Sequence, residues 1–466
     1  MDFFGLLDEI QSLMEQGEYQ KTKSIIDENI DLYDENSEEI FLLKTFIGAI
    51  LRDEGRNLEA ISLLIDINVQ SKNLKLHLPR LFALSELSYN YFKLSHYDLM
   101  REIIKETEDV LIDLVRTKSK YSNFQEIILS KIYNVQGLYH WNTGSLSLAV
   151  NDFKMYMEKC IQIEHEHGVG VSLNNLAALN YTLGNIELAL EYIEQAIAIW
   201  GKLKKLRGYA YGYKNLGLIY YAQNKTNLAL TNLELAFEYF GQINNRIDQA
   251  ISVFHMILIC LNDDQLLTSK DKYLSDLKLI SEKYDQKIIS IHYHMALNIN
   301  YMKKGRLREI TRAYAYFQQA IDENIEFKLS GIAIKYMCEY LILELKNVNS
   351  EQVFKELVDL VKKLRRLGES APSYTTLVES LILDAKIIFS TGDLKSATLL
   401  LEKAQKIAEE HGLFNLSTRI NDENELFISR ISNIQRMIEK DASKFDLLNE
   451  VAMQDYIEEV KKVIGI

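Results

Sequence analysis

An offset of 40 residues recurs in the middle of this chain and limits the folds open to it. NNLAALNYTLGNIELALEYIEQAIAIW runs from Asn174 to Trp200, and KNLGLIYYAQNKTNLALTNLELAFEYF runs from Lys214 to Phe240. Aligning Leu176 with Leu216 sets Ala177 on Gly217, Gly184 on Asn224, Ala189 on Ala229 and Ala196 on Ala236. A period of this length means one supersecondary unit copied in series. Each copy buries its apolar face only by stacking on its neighbours.

Within a copy, small residues stand where two antiparallel helices cross, and large apolar residues fill the flanks. The preceding unit fits, with Gly137 at the crossing, Gly144 at the turn, and Ala149 and Phe153 in the second helix. Further back, Gly48, Gly55, Ala60 and Leu64 form a unit, and Leu87, Ser88, Tyr91, Met100 and Ile104 form another. Gly17, Tyr19 and Ile26 mark a weaker first one. From Leu87 to Gln136 the spacing stretches to 49 residues, and the excess falls in the polar run TKSKYSNF at 117–124, a joint in the array. Beyond Phe240 the pattern loosens. Asp248 to Asp285 reads as two helices, Leu297, Tyr301 and Gly305 restore the frame, and Ala313, Phe317 and Ala320 follow. Residues 331–368 form a further pair interrupted by KNVNS, where Ser350 is placed to cap the next helix. Ala385, Gly392, Ala397, Leu401 and Ala404 make the last regular unit. After it, Leu426, Ile428, Ile431, Ile434 and Met437 fit a terminal cap whose outer face is polar. The expected organisation is N-terminal pairs over 1–120, regular units over 121–245, divergent units over 246–412 and capping helices over 413–466.

Composition supports helices. Only two prolines occur in 466 residues, and 47% of residues are hydrophobic, enough for a continuous core. The net charge of −13 argues against a general nucleic-acid binder, which needs cationic surface to displace counterions from phosphate. Two basic clusters, Lys202, Lys204, Lys205 and Arg207, then Lys362, Lys363, Arg365 and Arg366, are expected near helix ends, where the dipole favours cations. Cys160, Cys260 and Cys338 lack CxxC spacing and read as reduced, buried residues of a cytoplasmic protein. The start, MDFFGLLDEIQ, lacks a basic leader, and the apolar run Ile251 to Leu261 is too short to span a bilayer.

No constellation for catalysis, cofactor or metal stands out. His165 and His167, like His292 and His294, are two apart, so on a helix they face different ways. HExxH, GxSxG and Walker patterns are missing. Gly168-Val169-Gly170 reads as a joint between helices. Glu38 and Glu39 follow Ser37, a natural N-cap, and fall in a first helical turn.

Leu176, Ala177, Gly184, Ala189 and Ala196, and Asn215, Leu216, Gly217, Tyr220, Ala229 and Ala236, resemble the tetratricopeptide repeat. The resemblance covers roughly residues 5–412, and the long period resembles that of kinesin light chains, spindle-orientation adaptors and bacterial peptide-pheromone receptors. It implies an all-α, right-handed superhelical solenoid of about nine helix pairs, with first helices on the concave face. In the long-period families an Asn before the Leu-Gly pair often bonds an extended peptide. Asn175 and Asn215 match that position. An amide suits a peptide group because it offers an acceptor and donors together. Asn134, Asn174 and Lys214 lie one residue earlier in successive units, and Trp141, Tyr181 and Tyr221 recur at 40-residue intervals on the same strip. These eight residues are candidates for peptide contact; the other reading is that they bridge neighbouring helices. The two-carboxylate clamp of chaperone-tail receptors is not expected, because Leu138, Ala178 and Leu218 stand where it needs Asn. The function implied is a non-enzymatic scaffold binding an extended peptide or partner helix. The alternative is a receptor whose superhelix changes shape on binding a peptide.

Overall fold

The computed structural model describes residues 2–425 and 436, apart from 95, 116–119, 144, 264–265, 285, 304–314, 320, 322–326, 346–349, 371–373, 391–392, 412 and 415. Successive helices pair along the chain. They are α1 (Phe3–Gln16) with α2 (Tyr19–Asn29), α3 (Glu38–Asp53) with α4 (Asn57–Asn73), α5 (His77–Lys93) with α6 (Tyr97–Val115), and α7 (Ser122–Asn142) with α8 (Leu146–Gln162). Next come α9 (Glu166–Leu183), α10 (Ile186–Leu203), α11 (Leu206–Ala222), α12 (Thr226–Gln242), α13 (Arg246–Leu261), α14 (Leu267–Lys283) and α15 (Lys287–Lys303). The last are α16 (Phe327–Leu345), α17 (Glu351–Ser370), α18 (Tyr374–Ser390) and α19 (Leu394–Glu410). No strand occurs among the described residues. Neighbours in sequence pack together, and the first helices α3, α5 and α7 also pack on one another, so the chain is an all-α repeat array. The cap expected over 413–466 is described only in part: 416–425 is helical, and Leu426, Ile428, Ile431, Ile434 and Met437 lie outside the described residues, as do Gly144, Gly305, Ala313, Ala320 and Gly392.

The crossing logic holds in atomic detail. A methyl group on Gly48 would come within 2.7 Å of Leu64, and one on Gly137 within 2.6 Å of Phe153. Each glycine meets an apolar residue 16 positions later. At the equivalent places, 16 positions after Ala177, Gly217 and Ala385, Ile193, Leu233 and Leu401 are fully buried. Burying a side chain of this size contributes about 2–3 kcal/mol, so the small residue matters by letting its partner in. Ser37 caps α3 through Ile40 N at 3.4 Å with Glu38 and Glu39 in the first turn, and Ser350 accepts from Val353 N at 3.4 Å.

The joints between pairs repeat as well. Glu164, Lys204 and Asn244 take φ of 56°, 54° and 56°, one period apart. In each, the next backbone N–H reaches back to the closing helix: His165 to Cys160 O at 2.8 Å, Lys205 to Trp200 O at 3.0 Å, and Asn245 to Phe240 O at 2.9 Å. The last carbonyls of α8, α10 and α12 are thus satisfied in the same way.

Gly168 and Gly170 correct the sequence expectation. They lie in the first turns of α9, not in a joint. Their smallness admits neighbours: an added methyl would sit 2.4 Å from Cys160 Sγ at Gly168 and 2.7 Å from the Trp200 indole nitrogen at Gly170. Gly208 and Gly212 face the same indole from α11, and Trp200 is 2% exposed.

Two compact units are distinguished by their internal packing. The first comprises Met1–Leu179, Leu188–Gly217 and Thr231–Ser252; the second comprises Asn180–Glu187, Leu218–Leu230 and Val253–Ile466. In the second, Gly184 packs on His411, whose ring stacks on Tyr374 with centroids 3.6 Å apart. Glu379 in the same unit is held by Lys335 at 2.7 Å and Arg419 at 2.7 Å. Among the described residues, no helix is long and apolar enough to cross a membrane.

Candidate functional site

Asparagine disfavours helix interiors, because its amide competes for backbone partners. Yet α7, α9 and α11 carry Asn134, Asn174, Asn175 and Asn215 well inside their spans. In the first unit these amides find one another across neighbouring helices. Asn175 Nδ2 donates to Asn134 Oδ1 at 2.6 Å, and Asn215 Nδ2 donates to Asn174 Oδ1 at 2.8 Å. Asn134 is buried and donates onward to the Tyr89 hydroxyl, so both ends of its amide are used. Asn174, Asn175 and Asn215 are half-buried.

The ladder runs into charge on both sides. Lys214 pairs with Asp248 at 2.7 Å, and its ammonium lies 4.9 Å from the Tyr211 ring centroid. Asp248 also accepts from the Tyr211 hydroxyl at 2.7 Å and from Asn245 Nδ2 at 2.9 Å. Burial alone would raise the Asp248 carboxyl, but Lys214 and these hydrogen bonds outweigh it and hold it at about 2. On the other side the Arg52 guanidinium lies 5.4 Å from the Tyr89 ring centroid and pairs with Glu86. Arg52 also reaches Asp53 at 3.0 Å. Asp53 is the hub: Arg207 meets it at 2.6 Å, the Tyr19 hydroxyl at 3.1 Å and Lys93 at 3.3 Å. Burial opposes ionisation of Asp53, yet Arg207, Arg52 and Lys93 keep its carboxyl well below the usual range. Burial likewise lowers the Lys93 ammonium, which Asp53 only partly offsets.

Contacts spanning most of the first unit hold its beginning against α9, α11 and α13. Glu15, at the end of α1, pairs with His165 at 3.1 Å and with Lys205 at 3.1 Å, two residues one period apart. The turn at Gly17 faces Ile243, one residue before the left-handed Asn244. An ordinary repeat touches only its neighbours, so this brace is an addition to the array.

A family model described as tetratricopeptide repeat matches residues 168–241, the segment of α9 to α12 that carries the amide ladder. Residues 168–241 are tetratricopeptide repeats. The repeat protein is similar to a solved Rap protein complexed with competence and sporulation factor, at 16% identity over 87% of this chain and 99% of that one, TM-score 0.48. It is similar also to yeast Tom70, at 13% identity over 94% and 99% of the two chains, TM-score 0.39. No curated protein sequence matches it.

Of the eight candidates, the repeat protein brings Asn134, Asn174, Asn175, Lys214 and Asn215 together in the first unit. Trp141, in the same unit, turns its ring edge-on to Phe153 with centroids 6.3 Å apart. Tyr181 and Tyr221 belong to the second unit. There burial pushes the Tyr181 hydroxyl up to about 12, and the Tyr221 hydroxyl accepts from Asn262 at 3.1 Å. Missing from the sequence reading were Arg52, Asp53, Glu86, Tyr89, Lys93, Tyr211 and Asp248. One signal was available: stepping back from Asn215 and Asn175 by 40, then by the 49 of the stretched joint, lands on Glu86.

The first basic cluster also needs correction. Lys202 does sit at the end of α10, paired with Glu166. Lys205 and Arg207 instead open α11, the end where the dipole disfavours cations. The half-buried Glu15 carboxylate and the buried Asp53 carboxylate hold them there. Of the second cluster, Arg365 pairs with Asp384 at 2.9 Å. Among the described residues, no group of three His, Cys, Asp or Glu is placed to hold a metal ion.

Proposed function

We propose that this protein is an interaction scaffold that binds an extended peptide along the strip of Asn174, Asn175, Lys214 and Asn215. The observation that carries the reading is the unused half of the amide ladder. Each inter-helix bond consumes one donor and one acceptor, which leaves the Asn175 and Asn215 carbonyls and the Asn174 amino group without a partner among the described residues. Half-buried amides with spare capacity on one strip match the alternating donors and acceptors of a peptide backbone. Asn134, buried and doubly bonded, serves in this reading to hold Asn175 in place. Recognition needs no catalytic group, and the protein is proposed as a binding module rather than an enzyme. Its buried cysteines fit the reducing cytoplasm we propose for it.

The test is the Asn175→Ala, Asn215→Ala double variant, read by fluorescence anisotropy against pooled random peptides. Two lost backbone contacts at about 1 kcal/mol each predict affinity weakened by roughly thirtyfold, with helicity retained. Unchanged binding in a folded variant would sink the assignment.

A further inference from the structure

The charge around Asp53 is unbalanced. Four cations, Arg52, Lys93, Arg207 and Lys214, face three carboxylates, Asp53, Glu86 and Asp248. Glu86 is taken up by Arg52, and Asp248 by Lys214, Tyr211 and Asn245. That leaves Asp53 to serve Arg207 and Lys93, with Arg52 and Tyr19 competing for it.

Its capacity is exhausted. Asp53 Oδ1 takes Arg52 Nε at 3.0 Å, Lys93 Nζ at 3.3 Å and Arg207 at 3.4 Å. Oδ2 takes Arg207 at 2.6 Å and the Tyr19 hydroxyl at 3.1 Å. A carboxylate offers about four lone-pair sites, and these five contacts overfill them. An ammonium carries three donors, of which Lys93 spends one, on a long contact. The Lys93 side chain is 36% exposed, whereas Asp53 beneath it is 3% exposed. The surplus positive charge therefore reaches solvent at Lys93. The amide ladder leads there through Asn134, Tyr89 and Arg52, and the charge of Asp248, beside Lys214, is also felt at Lys93.

We propose that Lys93 forms an anion subsite, with Arg207 behind it, that receives a carboxylate of the bound peptide. The proposal rests on the peptide-strip reading above. It adds that the ligand is selected by one negative group, either its C-terminus or an Asp or Glu side chain. Asp53 holds the ammonium in place, so the subsite is preorganised and a carboxylate entering it completes a set of charge-assisted hydrogen bonds.

Short fluorescent peptide pools separate the two sources. One comparison sets free C-termini against C-terminal amides; the other fixes Asp or Glu at each position against Asn or Gln. For the wild-type chain, anisotropy should show at least tenfold tighter binding in one comparison. Lys93→Met should erase that preference while neutral pools bind as before, and Lys93→Arg should keep it. Equal binding of acidic and neutral pools to the wild type overturns the subsite and leaves the strip standing, as does a preference that survives in Lys93→Met. If no pool binds at all, the strip reading falls and the subsite with it. The wild-type comparison is independent of whether any variant folds.

Discussion

Lys205 and Arg207 carry their charge where α11 disfavours it, and they stay because the carboxylates of Glu15 and Asp53 pair with them. The same pocket holds His167, faced by Glu15, His165, Lys205 and Arg207. Burial lowers the His167 imidazole to about 4 against an ordinary 6.5; Glu15 pulls the other way, and His165, Lys205 and Arg207 add to the burial effect. The unfolded chain therefore takes up this proton before the folded one does. The resulting stability is complete above about pH 6.5 and is lost as the pH falls towards about 4. The urea midpoint should fall through that window, and His167→Gln should flatten the fall. A variant whose acid profile superimposes on the wild type would contradict this account. None of it could be read from the sequence. His165 and His167 look like an idle pair two residues apart, because the carboxylate that gives them meaning lies some 150 residues earlier.

At the scale of helices, the local pattern was legible and the long-range pattern was not. Gly48 with Leu64 and Gly137 with Phe153 announce themselves by fixed spacing, since steric complementarity between adjacent helices must recur in every unit. The joints at Glu164, Lys204 and Asn244 recur too, but Glu164 and Lys204 are residues that do not advertise a left-handed backbone. Of the candidate strip, the amides were found because they keep the period, whereas Asp53 and Asp248 were missed because no carboxylate recurs one period from either. The brace of α1 on α9 and α11 has no periodic footprint at all. Its α1 residues Phe3, Leu6, Leu7, Ile10 and Leu13 make an ordinary buried stripe, and only Glu15 and the Gly17 turn reach the distant helices. Glu15→Gln should loosen this hairpin selectively. In hydrogen exchange, α1 amides should lose at least tenfold in protection, about 1.4 kcal/mol, while α7 and α8 keep theirs. Uniform loss across the first unit would mean that α1 does not open separately.

Over the whole molecule, repetition explains how a chain of net charge −13 holds a cationic pocket. The pocket is assembled from single residues of several repeats and diluted in the total. Asp53 and Arg207 meet across 154 residues of chain, and that span is a fixed number of repeats. Open repeat arrays change length readily during evolution, by duplicating or deleting one copy in the gene. Here a copy gained or lost between the two partners would carry Arg207 past Asp53 and strand both charges. The brace thus acts as a ruler. A chain given an extra copy of 166–205 should lose the folded first unit, as limited proteolysis would show.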